Sequence, residues 1–171
     1  MELSTHEFWA LIHGLILGGL FLIAFTGGLA TFYALRPELT SGAAAIQDAT
    51  RRLTIGTITL AILVWVTVVS GTWIVYPWYR EDTPDSPRSQ LLANSDTKDW
   101  HEFAMEWKEH VAWIAPMLAT AAAFIVVYYR TDLIRNQLAR RIAMACFIGA
   151  FVIAAIAGIL GALITKKAPV T

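Results

Sequence analysis

Cysteine is almost missing from this chain. Cys146 is the only one in 171 residues, so no internal disulfide can form, and without a C-x-x-C-H run covalent c-type haem attachment has no support. Charge is scarce too, at 15 % of residues against about 25 % in a soluble domain. The 13 basic and 13 acidic residues cancel, and no global attraction to nucleic acid follows. No nucleophile–base pair, phosphate loop or inverted repeat with broken helices is recognisable. The N-terminus carries no basic n-region and no A-x-A site, so the first apolar stretch is expected to be retained.

What the chain has instead is hydrocarbon. Apolar residues make up 57 % of it, mean hydropathy is +0.56, and four stretches reach the roughly 20 residues needed to cross ~30 Å of lipid. The expected fold is one all-α integral membrane domain covering residues 1–171. It is a four-transmembrane-helix bundle with spans near 7–35, 53–78, 102–130 and 137–164 and a long polar loop over 80–99.

Punctuation along the chain fits that division. Ser4 and Glu7 read as a capping box opening span one, Arg36-Pro37 closes it, and Gly14 and Gly18 allow close approach of a neighbour. Span two starts as early as Gly42 and finishes in Trp73, Tyr76, Trp78 and Tyr79, an aromatic belt of the kind found at headgroup level, with Pro77 marking its end. Asp96 and Asp99 offer cap signals for span three, and Pro116 is expected to kink it. Ala150, Ala154, Gly158 and Ala162 form a small-residue stripe in span four. The loop over 80–99 reads as a water-exposed linker or a docking surface. His6-Glu7-Phe8 and His101-Glu102-Phe103 hint at a duplicated two-helix unit.

All four histidines fall towards one side of the membrane. Seven residues return a helix to nearly the same face and raise it by roughly 10 Å, so His6 and His13 share a face but cannot bind one ion. His101 lies half a turn out of phase with His110. One histidine from each of two helices is how a bundle holds a b-type haem, and His13 with His110, each deepest in apolar sequence, form the expected axial pair. Gly14, Gly18 and Gly71 would leave room for the macrocycle, and Trp73, Trp107 and Trp113 would line it. Lys108, Arg80 or protonated His6 would pair with the propionates. In span count and histidine placement the architecture is similar to small four-helix cytochrome b subunits that anchor respiratory enzymes.

The expected function is therefore a b-type cytochrome subunit with one haem b near the outer face, passing electrons between quinol and a partner protein. Its surroundings would be the lipid bilayer, other subunits of a redox complex, a quinone and a soluble electron carrier, in a bacterial inner membrane with the site facing the periplasm. A cofactor-free assembly or scaffold subunit is the alternative. Another is an outer-side copper or zinc protein using His6, His101 and a carboxylate. The plain reading of the same residues is an interfacial row of histidines and aromatics, with Glu102, Glu106, Lys108 and Glu109 as a solvated face.

Orientation comes from basic residues. Arg36, Arg51 and Arg52 in one connection and Arg130, Arg135, Arg140 and Arg141 in another mark the cytoplasmic side, which places both termini and the 80–99 loop outside. In a Cys146→Ser background, a cysteine at Ser89 should react with an impermeant maleimide in intact cells and one at Ser41 should not; reaction at Ser41 alone reverses the orientation.

Overall fold

The computed structural model of the chain describes residues 2–168. Its helices are α1 (Thr5–Ala34), α2 (Ala43–Tyr79), α3 (Pro87–Leu92), α4 (Trp100–Ile134) and α5 (Gln137–Lys167). All but α3 are long and apolar enough to cross a membrane, and no strand occurs among the described residues. Their outward faces carry side chains such as Ile23 (72 % exposed) and Phe124 (67 %), a surface suited to contact with lipid.

Local chemistry sets the ends. The Ser4 N–H donates to Glu7 Oε2 at 2.8 Å and the Glu7 N–H to Ser4 Oγ at 3.1 Å, the reciprocal box expected of α1. Gly42, at φ +88°, starts α2 in a conformation a side chain would strain. Asn136 caps α5 by accepting the Ala139 N–H at 3.0 Å. Asp99, expected to cap span three, makes no side-chain cap bond, and α4 enters through a π-helical turn instead.

Both interior prolines are accommodated by rearranged hydrogen bonds. Pro116 cannot donate to Ala112, whose carbonyl accepts the Ala115 N–H at 3.1 Å, and a tight turn interrupts α4 at Ala112 and Trp113. Pro77 does not end α2 as expected. A π-helical turn over Gly71–Val75 precedes it, with the Tyr76 N–H reaching back to the Gly71 carbonyl, and the helix runs on to Tyr79.

The spans pack as a square: α1 on α2, α2 on α4, α4 on α5 and α5 back on α1. The first and third spans share no principal interface and sit across the diagonal. Small residues let α4 and α5 approach: Ala115, Ala119, Ala122 and Val126 face Ala143, Phe147 and Ala150, all nearly inaccessible. The stripe expected in span four holds only at its start. Ala150 is buried and Gly158 and Ala162 are exposed, because a four-residue interval advances about 40° per step around a helix.

Away from the histidines, α1 meets α5 through rings. Phe25 lies 3.9 Å from Phe151 and 5.2 Å from Phe147, centroid to centroid. The Phe147 ring occupies the space a Cβ on Gly28 would need. At the opposite end the 80–99 loop is more than a linker: α3 is capped by Ser86, whose Oγ accepts the Ser89 N–H at 3.2 Å. It buries Leu91 with Tyr79, Ala104, Met105, Ile164 and Ala168. Gly28→Val should cost about 1–3 kcal/mol by overpacking, read as a lower unfolding midpoint in detergent, and Phe147→Ala in the same chain should recover part of the loss; an unchanged midpoint removes this contact from the fold's determinants.

Candidate functional site

Three π-helical turns lie at the end of the bundle where the histidines are. Leu11–Ile16 contains His13, Gly71–Val75 lies opposite it on α2, and Trp100–Met105 contains His101. Pro77 accounts for the second. The other two have no proline beside them, and such turns concentrate at functional sites.

The inward side chains form two tiers. In the outer tier His6 stacks on Trp78 with centroids 4.8 Å apart, and His101, 7 % exposed, shares a 2.9 Å hydrogen bond between Nδ1 and the Tyr79 hydroxyl. Seven residues deeper on α1, His13 Nδ1 lies 3.1 Å from Ser70 Oγ. The Ser70 hydroxyl also lies 3.1 Å from the Thr67 carbonyl, and the imidazole tautomer sets which group donates between His13 and Ser70. The His13 ring covers Gly71, where an added Cβ would come within 2.8 Å of Cε1. Seven residues below His101, Lys108 points inward, and its Nζ would lie 2.8 Å from a Cβ on Gly161.

Phase on α4 settles which groups face outward. His110, two residues and about 200° beyond Lys108, has a side chain 74 % exposed. Its Nδ1–H donates to the Glu106 carbonyl at 2.8 Å, leaving the Nε2 lone pair free. Phe103, Met117 and Phe124 continue the same outward row at 68 %, 59 % and 67 % exposed. Trp73, also exposed, meets Trp113 edge-on at 6.1 Å, and Trp65 donates from Nε1 to Thr120 at 3.0 Å. Trp107 is half-buried.

These placements separate residues that the sequence groups together. His13 leans on α2 and His110 faces away from the bundle, so the two imidazoles do not face each other. Gly14 and Gly18 have open space within 4 Å of an added Cβ, so no neighbouring helix makes the close approach expected there. The clearance at Gly71 is filled by His13 itself. Lys108 is not part of a solvated face with its neighbouring glutamates. Only the inward phase of His101, seven residues earlier, could have signalled its position.

The glutamates are engaged elsewhere. Glu109 Oε2 accepts from the Tyr76 hydroxyl at 2.7 Å and lies 3.6 Å from Arg80, which also reaches Glu106 at 3.3 Å. Glu102 lies 2.9 Å from Lys98 and holds that exposed ammonium above its usual pKa, a contact worth little in water. Among the described residues no three of His, Cys, Asp and Glu are grouped to hold a metal ion, so the copper or zinc arrangement of His6, His101 and a carboxylate is not assembled.

Comparison with family models, curated proteins and solved structures finds no match to this chain.

The buried Tyr79–His101 bond is the most sheltered polar contact at this end. Tyr79→Phe should cost about 1–3 kcal/mol, the penalty for leaving a buried polar nitrogen unpaired. The same change in a His101→Leu background should cost far less in a double-mutant cycle. Equal losses in both backgrounds exclude the coupling.

Proposed function

We propose that this chain is one subunit of a membrane electron-transfer complex, with a b-type haem held at His110 on the outer face of α4, where a neighbouring subunit completes the site. The observation behind this reading is the state of that imidazole. Its Nδ1–H is fixed by the Glu106 carbonyl, its Nε2 lone pair is free, and it stands exposed among Phe103 and Met117. Anchoring the second ring nitrogen to a carbonyl is how proteins orient a ligating histidine and raise its basicity.

In this reading the haem supplies the one-electron chemistry. The chain orients the imidazole, offers an apolar wall and presents Arg80 and the acidic 80–99 loop towards a soluble partner, while quinol is drawn from the membrane. His13 then acts as a packing and hydrogen-bonding residue and not as the second axial ligand. If the arginine loops are cytoplasmic, the site faces the periplasm.

The inner tiers favour a second reading, a cofactor-free accessory subunit of a larger complex. His13 on Gly71 and Lys108 on Gly161 close that end by direct packing, and a macrocycle inside the bundle would have to displace both.

Oxidised and dithionite-reduced spectra of the protein, isolated with its native partners from haem-replete cells, decide between them. A low-spin b-type signal is expected in wild type. It should vanish in His110→Ala and persist in folded His13→Ala. A signal that survives in His110→Ala removes the ligand assignment, and wild type without haem leaves the accessory reading.

A further inference from the structure

Lys108 is a cation facing the inside of a membrane-spanning bundle, and among the described residues it makes neither a hydrogen bond nor an ion pair. The acids nearest in sequence each contact another group, and Glu109 alone keeps a buried oxygen, Oε1, without a hydrogen bond. Glu102 lies against Lys98, Glu106 against Arg80, and Glu109 against Tyr76 and Arg80. Lys108 is half-buried, and a charge partly withdrawn from water among apolar groups gains from a counter-charge or a polar partner.

A cavity of about 60 Å³ opens beside it, lined by Val75, Trp78, Met105, Ile164 and Thr165 as well as Lys108. Only Lys108 among the lining residues carries a charge. Opposite, Gly161 leaves the room that Nζ uses, an added Cβ there coming within 2.8 Å of it, and a large side chain would fill the space. On the measure by which one water needs about 10–15 Å³, this space takes several waters, enough for one oxyanion. Lys108 also stands three residues before Val111, where the continuous apolar part of α4 begins, a depth at which the acidic groups of lipids lie and at which basic pockets between helices take them.

We propose that this cavity binds the oxyanion of an amphiphile, a phosphodiester or carboxylate carried on an apolar tail, with Lys108 as its counter-ion. The charge supplies recognition of the oxyanion. The apolar lining and boundary depth select a group attached to a tail over a free anion. This site faces into the bundle and is independent of the haem proposed at His110.

Native mass spectrometry of the full chain, delipidated and then titrated in detergent, tests the proposal with four probes: phosphatidylglycerol, phosphatidylcholine of the same acyl chains, oleate and inorganic phosphate. Wild type should hold one equivalent of phosphatidylglycerol or oleate in preference to phosphatidylcholine, and the two should compete. Whichever wins at equal concentration identifies the source of the oxyanion. Lys108→Met, which keeps the volume and removes the charge, should weaken retention about tenfold or more, the loss expected for one charge-assisted contact. Gly161→Leu, which keeps the charge and fills the space, should do the same, so the test survives if Lys108→Met fails to fold. Equal retention of phosphatidylglycerol and phosphatidylcholine by wild type overturns the proposal, as does full retention in both folded variants. Displacement of the lipid by inorganic phosphate at comparable concentration overturns the requirement for a tail.

Discussion

At four glycines of this bundle a neighbouring side chain enters the space of the missing Cβ, Leu118 of α4 at Gly149 of α5 being one of them. Phe147 of α5 enters at Gly28 of α1, His13 of α1 at Gly71 of α2, and Lys108 of α4 at Gly161 of α5. In lipid the hydrophobic effect does not drive helices together, because acyl chains are as apolar as leucine. Close packing and hydrogen bonds must do it, and a side chain seated where a Cβ is missing makes more contacts than two smooth helices can. The alanine face between α4 and α5 works in the same way at the centre of the bundle.

Those contacts also fix rotation. With Lys108 seated against Gly161, α4 must turn His101 inward, towards Tyr79, and must turn Phe103 and His110 outward. The chemistry available at this end is thereby divided. Inside are anchored imidazoles, a tyrosine and an unpaired ammonium; outside is an imidazole with a free Nε2 on an aromatic row. The proposed haem ligand and the proposed oxyanion site are two residues apart in sequence and on opposite faces of one helix for this reason.

The two ends of the bundle are built differently. Towards the arginine loops the bundle is held by stacked phenylalanines, and α4 ends in a 3-10 turn over Arg130–Ile134 with Arg130 at φ +47°. The histidine end carries three π-helical turns, an interruption above Pro116 and a small capping helix. Irregular turns carry a local cost, and the π-helical ones here contain His13 and His101 and lie at the same end as Lys108 and the glutamate–arginine network.

The spans, the Ser4 cap and the break before Pro116 were legible in the sequence because each depends on residues within a turn or two of one another, whereas Asp99 makes no cap bond. Apolar length makes a span, Ser4 and Glu7 make a box, and a proline removes a donor wherever it stands. The heptad relation of His6 to His13, and the half-turn offset of His101 from His110, were legible for the same reason. What the sequence could not determine was which face of each helix points inward. These helices are apolar nearly all round, so lipid and neighbour demand the same residue types and no polar stripe marks the outside. The mutual seating of helices, through the alanine face between α4 and α5 and contacts such as Phe147 at Gly28 and His13 at Gly71, sets the phase. That choice put spans one and three across a diagonal and turned His110 away from His13, because packing complementarity is a property of pairs of helices and is not encoded in the periodicity of either one.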